Sequence, residues 1–466
     1  MARFTAQEIL EATKAHPSAV GPGNFSAVCT DTRALVPGAL FVALEGERFD
    51  AHQFLDQAAK GGAAGAVVQR GKARAATPAG FALFEVDATL AALGALGRWH
   101  RRRFQKPLGA VGGSNGKTTT KEMVGAILST RGPALLTQGN FNNEIGVPLT
   151  LFGLEDSHVA AVVELGMNHA GEMARLTAIA EPDAALLTVV QPEHLEGLGS
   201  LEGVARAEGE LFFGLKPTAT AVVNLDDPLI VEQAQQSGAR SLGFGRHPEA
   251  AVRLLSVEAR GLEGLTATVR FQGVDHPVRL GFIGEHNAQN ATGAFALGLA
   301  LGYRPEECVA GLEQARPYAR RLNVIAVPGG VTVIDDCYNA NPASMEAALS
   351  TLQGLARNGR AIAVLGDMLE LGSGEDEAHR ELGARAAALV QRVAFFGPRS
   401  ASGAAAARSG SAGAAESRHF TEVEPLVAWL KPELKSGDVV LVKGSRGMRL
   451  ERVVAALTGH AAGGAH

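Results

Sequence analysis

The sequence predicts an α/β protein of three domains: a small α/β unit over residues 1–85, a central parallel-sheet P-loop domain over 86–318, and a second doubly wound domain over 319–466. Three observations predict it. The chain has 466 residues, about three times the ~150 residues of an ordinary domain. A strand, loop and helix alternation begins near Leu108 and starts again near Arg320, as parallel sheets with helices on both faces require. Between an apolar segment, 107–111, and a helix-like one, 121–128, lies Gly113-Ser114-Asn115-Gly116-Lys117-Thr118-Thr119-Thr120, the setting of a phosphate-binding loop.

In the first unit, strand-like runs at 39–43, 65–68 and 81–86 are divided by Gly and Pro turns. A helix follows over 88–103, where Leu90, Leu93, Leu96 and Trp99 form one apolar stripe of the core type. The basic run His100 to Arg103, with Lys106 nearby, is read as its solvated end. Strands are expected at 159–163, 184–190 and 219–223, then an antiparallel excursion between 252 and 280 and a helix over 287–301. The third unit has strands at 331–334, 361–365, 393–396 and 439–442. Its Ala-, Gly- and Ser-rich stretch 400–417 is part helix and part loop.

Composition narrows the function. A net charge of −5 leaves no electrostatic footprint for nucleic acid. Cys29, Cys308 and Cys337 are isolated and lack metal-ligand spacing, which predicts a reducing compartment without disulfides. No apolar run approaches the roughly 20 residues that span a bilayer, and the start MARFTAQEIL lacks a signal pattern. A cytoplasmic protein is expected.

The loop carries the chemistry. Backbone N–H groups freed by Gly113 and Gly116 can wrap phosphate oxygens, Lys117 can reach the terminal phosphates and Thr118 can hold Mg²⁺. Val111 stands where the longer P-loop pattern has glycine, so the match is to the shorter form Gly-x-x-Gly-Lys-Thr. Glu164 ends one predicted strand and His194 lies past another. A carboxylate is a natural Mg²⁺ ligand; a histidine there is less usual and also fits a loop residue bonded to backbone. Asp335, Asp336, Asn339 and Asn341 surround Tyr338, as an Asx-rich turn or a ribose site would have them.

Ordered segments then run almost end to end: DTRALVPGALFVALEGERFDAH (31–52), GGSNGKTTTKEM (112–123), NFNNEIGVPLTL (140–151), VELGMNHAGEM (163–173), HLEGLGS (194–200), GEHNAQNATGAFALG (284–298), DDCYNANPASM (335–345), LGDMLELG (365–372) and VKGSRGMRLE (442–451). In them the chain resembles the Mur ligase family, and the DDxYNANP and GDMLELG segments resemble its D-alanyl-D-alanine-adding branch. The resemblance implies a UDP-sugar domain, a central ATPase and a Rossmann-like domain that closes over the nucleotide. It also implies an ATP- and Mg²⁺-dependent ligase that phosphorylates the carboxylate of a UDP-muramoyl tripeptide, which the amine of D-alanyl-D-alanine then attacks.

By the same resemblance, Lys117, Glu164, His194 and Arg321 serve catalysis, with Arg320 the neighbouring alternative to Arg321. Gly113, Ser114, Asn115, Gly116, Lys117, Thr118 and Thr119 hold phosphates, Asn287 and Asn290 the adenine, Asp336 and Asn339 the ribose. Thr118, Glu164 and His194 are the implied Mg²⁺ residues. Thr32, Arg33, Glu47 and Arg48 resemble the UDP-sugar site; Asn140, Asn142 and Glu144 face substrate; Lys443, Ser445 and Arg446 hold a carboxylate or phosphate. Asp367 and Glu370 are further candidates. The partners implied are small molecules, with no nucleic acid, no membrane span and a monomeric enzyme.

One departure stands out. Where many Mur ligases carry a CO₂-modified lysine, this chain has Glu208, shorter by three side-chain atoms, roughly 3 to 4 Å. The expectation is that Glu208 serves a second Mg²⁺ through a water, against an exposed helix glutamate as the alternative. A related Mur-type or folylpolyglutamate-type ligase, and an inactive nucleotide-binding scaffold, are the other readings of the whole.

Overall fold

The computed structural model describes residues 2–19, 21, 23–46, 49–72, 80–357, 359–409 and 415–459. Among them, three principal sheets carry the fold. The central strands Leu108–Gly112, Ala160–Glu164 and Ala184–Leu187 are buried at every residue, which is why they read as continuous apolar runs rather than alternating ones. Successive side chains still point to opposite faces. Ala110 and Val163 enter a core closed by helices Glu172–Ala180 and Leu201–Phe213, while Val111 and Val162 enter one closed by Lys117–Leu128 and His286–Ala300.

The order of this sheet positions the site. Seven parallel strands run Ala134–Leu136, Ala160–Glu164, Leu108–Gly112, Ala184–Leu187, Thr220–Asn224, Arg240–Gly245 and Val252–Ala259; Leu265–Phe271 and Val274–Leu280 add antiparallel strands. Leu108–Gly112 lies between two strands that come later in the chain, pairing Val111 with Glu164 and Gly112 with Leu187. The loop after Gly112 therefore opens at a topological switch point, beside the ends of both neighbours.

The first sheet orders His16–Ala19, Ala82–Val86, Gly65–Gln69, Leu40–Val42 and Val28–Cys29. The strand Ala82–Val86 crosses residue 85, so this sheet closes one residue past the expected limit. The third orders Asn323–Val327, Val331–Asp336, Val439–Lys443, Ala361–Gly366, Arg392–Phe396 and Glu416–Phe420, parallel except at its first pair. Its register sets Asp336 beside Lys443 at the ends of adjacent strands.

Three local expectations change. The helix expected from 121 starts at Lys117, directly after Gly116 with φ 83°. The strand expected to reach 190 stops at Leu187, because Thr188 turns its hydroxyl onto the carbonyl of Asn115 at 2.6 Å. The basic run is only in part a solvated helix end: Arg102 and Arg103 are exposed, but Arg101 is buried. Helix Thr89–Arg103 lies between the first two sheets, and Arg101, 5% exposed, donates to the carbonyls of Ala180 (3.0 Å) and Phe104 (2.7 Å) and to Asp183 (3.0 Å). Ala180 ends a helix, where unsatisfied carbonyls and the helix dipole attract a cation. Burying the apolar stripe draws the arginine stems down with it.

Arg98 and Arg102 both pair with Glu181 at 2.6 Å. Burial alone would raise this carboxyl, but hydrogen bonds from Arg102 and Arg98 outweigh it and bring the pKa down to about 2. A depressed pKa adds stability above the ordinary value of 4.5 that is lost as pH falls towards 2. Glu181→Gln should thus lower the thermal midpoint at pH 7, with the gap to wild type closing as pH falls below about 4.5 in calorimetric scans.

Candidate active site

The loop after Gly112 is held from the neighbouring strand. Gly113 has φ 111°, and a Cβ there would lie 2.3 Å from the Thr188 hydroxyl; at Gly116 one would lie 2.6 Å from the Asn290 amide oxygen. Both positions need glycine for conformation and for space. Ser114 and Asn115 bond to Gln191, the amide of Asn115 reaching its side-chain oxygen at 2.5 Å. The ammonium of Lys117 turns back over the loop to the carbonyl of Gly113 at 2.5 Å.

Two cavities meet at this loop. One, of about 410 Å³, is lined by Lys117, Asn142, Glu164, Glu193, His194 and Asn339 among others. The other, of about 790 Å³, is lined by Thr119, Asn224, Asp226, Asn287, Asn290 and Asp336 among others and has the more apolar walls, including Pro228, Leu229 and Leu254. Asn115, Gly116, Thr118, Arg321, Ser344 and Lys443 border both. A ligand of nucleotide length can therefore lie in the larger cavity with its phosphates at the loop and its end exposed to the smaller one.

The central and carboxy-terminal domains close on the loop through polar contacts. Arg321 donates to the Thr118 hydroxyl at 3.3 Å, its guanidinium 4.1 Å from the centre of the Tyr338 ring. Asn115 and Asn341 exchange amide hydrogen bonds at 3.2 Å each way. Glu370 lies 3.0 Å from Nδ1 of His194. Lys443 pairs with Asp336 at 2.7 Å, and Asp336 also accepts the Leu322 N–H at 3.1 Å.

Carboxylates crowd the smaller cavity. Glu164, 3% exposed, accepts from the Asn142 amide at 2.8 Å through Oε1, while its Oε2 is enclosed without a partner. Oε1 of Glu193 is likewise enclosed and lies 3.9 Å from Lys117 Nζ. Burial would lower the Lys117 ammonium, but the charges of Glu193, Glu208 and Glu164 raise it above its ordinary value. Burial raises Glu193 against the opposing charge of Lys117.

Enclosed carboxylate oxygens without donors beside a P-loop threonine suit a hard cation. Among the described residues no three His, Cys, Asp or Glu side chains converge into a ready cage. Mg²⁺ does not need one, since it is bound through one or two carboxylates, waters and substrate phosphates. The residue set fits it.

The structure brings most of the expected residues together. Ser114, Asn115, Gly116, Lys117, Thr118, Glu164, His194, Arg321, Asn140, Asn142, Glu144 and Lys443 border the smaller cavity, and Thr119, Asn287, Asn290 and Asp336 the larger. Arg321 rather than Arg320 faces the loop. Asn339 borders the smaller cavity, its carbonyl accepting from Lys443 at 3.0 Å, the lysine that also pairs with Asp336. Thr32 and Arg33 sit in the short helix Thr32–Ala34, outside both cavities, with Arg33 paired to Asp31 at 2.6 Å. Glu47 and Arg48 lie outside the described residues.

Several polar candidates make contacts within the protein. Ser445 is buried and accepts the Leu369 N–H at 3.0 Å, Arg446 lies 3.4 Å from Glu451, and Asp367 accepts the Ser400 N–H at 2.8 Å. Asn341 caps the helix Pro342–Leu355, and Asp335 accepts from Cys337, as the Asx-turn reading has it. Glu193 went unnoticed in the sequence, although a carboxylate next to His194 past a strand end is a visible signal.

Glu208 requires a correction. It is 1% exposed, so it is not a surface glutamate, and it borders neither cavity. Its Oε2 accepts the Gly113 N–H at 2.8 Å, bracing the loop from beneath, and burial raises its pKa to about 7. One oxygen of the shorter side chain is taken by the loop backbone, and the other, Oε1, is enclosed without a hydrogen-bond partner.

A P-loop on a parallel sheet, faced by a second doubly wound domain across a cleft, defines a nucleotide-binding enzyme of the three-domain ligase type. Residues 111–298 match the Mur ligase middle domain and 320–446 the Mur ligase, glutamate ligase domain. The chain is similar to UDP-N-acetylmuramoyl-tripeptide--D-alanyl-D-alanine ligase of Escherichia coli (40% identical, covering 93% of this chain and 94% of that one). Its counterpart of the same name in Bacillus subtilis is 37% identical, with 92% of each chain covered. Among solved structures, MurF from Acinetobacter baumannii has a TM-score of 0.88 at 35% identity, covering 98% of this chain and 99% of that one. MurF from Thermotoga maritima, solved in complex with ADP, has a TM-score of 0.81 at 27% identity, covering 93% and 97%. The chain belongs to the Mur ligase family.

The bracing role of Glu208 has a measurable consequence. Glu208→Leu strands the buried Gly113 N–H, a cost of about 1–3 kcal/mol, and should weaken ADP binding about tenfold or more in EDTA by calorimetry. Glu208→Gln keeps an acceptor and should retain most of the affinity.

Proposed function

We propose that the protein joins D-alanyl-D-alanine to UDP-N-acetylmuramoyl-tripeptide at the expense of Mg²⁺ATP, as a cytoplasmic monomer in peptidoglycan precursor synthesis. The observation that carries this reading is the meeting of two cavities at one phosphate loop. Relatives carrying that activity in their names, at 37–40% identity over nearly the whole chain, support it.

A carboxylate at neutral pH is a poor electrophile. One of its oxygens attacks the terminal phosphorus, ADP leaves, and the resulting acyl phosphate has a leaving group. The dipeptide amine then attacks the acyl carbon, loses a proton, and phosphate departs as the amide forms. Lys117 and Arg321 stabilise the charge that gathers on the transferred group. Bound Mg²⁺, held by Thr118, Glu164 and His194, would neutralise phosphate charge. Asn287 and Asn290 take the adenine and Asp336 the ribose. Asn140, Asn142, Glu144 and Lys443 face the acyl substrate, whose UDP end extends towards Thr32 and Arg33. Closure of the carboxy-terminal domain keeps water from the acyl phosphate.

The test is phosphate release with Mg²⁺ATP and UDP-muramoyl tripeptides ending in diaminopimelate or lysine, each with and without D-alanyl-D-alanine. Release that needs the dipeptide, with a pentapeptide product by mass spectrometry, is expected. Turnover with single amino acids instead would assign a different ligase, and nucleotide binding without product in either series would make the chain a scaffold. Lys117→Ala should reduce kcat by about 10²-fold or more in the same assay.

A further inference from the structure

We propose that Glu193, and not Glu208, is the second carboxylate this chain turns on a divalent cation at the nucleotide phosphates, together with Glu164. The inference rests on the nucleotide-binding reading above and adds a residue to it. Three observations converge on Glu193.

The first is placement. Glu164 and Glu193 border the same cavity as Lys117 and Thr118, whereas Glu208 borders neither cavity and commits one oxygen to the Gly113 N–H. The second is unmet bonding. Oε2 of Glu164, in a side chain 3% exposed, and Oε1 of Glu193 are both enclosed without a hydrogen-bond partner at the cavity; Oε1 of Glu208 is enclosed likewise, but in a side chain that borders neither cavity. An enclosed carboxylate oxygen without a donor is costly unless a cation meets it.

The third is what nucleotide binding does to the local charge. Lys117 Nζ lies 3.9 Å from Glu193 and is the cation nearest to its Oε1. A P-loop lysine turns to the terminal phosphates, so an incoming nucleotide both draws that counter-charge away and brings several negative charges to the same place. Two anions in contact in a partly desolvated cleft repel by several kcal/mol at an effective dielectric near ~20. A cation between them removes the conflict. The geometry leaves room for one, since Oε2 of Glu193 and Nε2 of His194 stand 3.9 Å apart, too far for a hydrogen bond. Two atoms bound to one octahedral Mg²⁺, each about 2.1 Å from it, lie about 3.0 Å apart when adjacent and about 4.2 Å when opposite, so a shift of less than ~1 Å in the two side chains seats one. Glu370 on Nδ1 leaves the Nε2 edge of His194 towards that gap.

Mn²⁺ provides the probe, read by electron paramagnetic resonance in the presence of a non-hydrolysable ATP analogue, with calorimetry of the analogue in EDTA as the second readout. Glu193→Gln should weaken Mn²⁺ binding to the complex about tenfold or more. Its metal-free nucleotide affinity should equal or exceed that of wild type, because one negative charge beside the phosphates is gone. Glu193→Asp should recover part of the Mn²⁺ affinity. Wild-type Mn²⁺ binding in Glu193→Gln would overturn the proposal, as would an equal loss of metal-free nucleotide affinity, which would make Glu193 a support of the loop. Wild type that binds the analogue but no Mn²⁺ would overturn this inference alone. Wild type that binds no analogue under either condition would overturn the functional reading with it.

Discussion

The enclosure of Lys117 among three carboxylates is the constraint around which the active cleft is arranged. An ammonium folded onto its own loop carbonyl and surrounded by Glu193, Glu208 and Glu164 keeps its charge despite burial. Each carboxylate arrives from a different element: Glu164 from a strand end, Glu193 from the loop beyond the neighbouring strand, Glu208 from the helix Leu201–Phe213 beneath. The strand order that places Leu108–Gly112 between later strands is what allows these three to converge.

Much of this was legible in the sequence, for physical reasons. The phosphate loop could be recognised because its glycines answer to steric demands, visible in the contacts a Cβ would make with Thr188 and Asn290. The central strands were legible because burial on both faces leaves apolar runs. Partly exposed strands were less so. Ala134–Leu136, Arg240–Gly245 and Glu416–Phe420 were passed over because they are short, glycine-broken or polar, as strands with partial exposure can be. Glu193 and the clasp of Arg101 escaped for another reason. Both depend on which distant segment the fold sets opposite them, Lys117 in one case and the end of helix Glu172–Ala180 in the other; the place of Glu193 beside His194 was a local signal, but neither partner is encoded locally.

Glu208 shows how one aligned position can keep its charge and change its task. Its carboxylate remains within the influence of Lys117, yet it is spent on a backbone N–H under the loop. Alignment transfers residue identity but not side-chain reach. A difference of a few ångströms decides whether a group touches a ligand or the frame that holds it.

The contacts that join the central and carboxy-terminal domains across the loop are of a particular kind. The Asn115 and Asn341 amides, Arg321 with Thr118, and Glu370 with His194 are all polar and lie at 3.0 to 3.3 Å. Water can take the place of either partner in each, so separating them carries a small net cost, on the order of 1 kcal/mol apiece. Ile283 of the central domain packs into the apolar core of the carboxy-terminal one, but the polar seam at the loop does not hold the cleft shut by itself. Whatever fills the two cavities decides how long the domains stay together, and the same seam releases them once the filling has been turned into product.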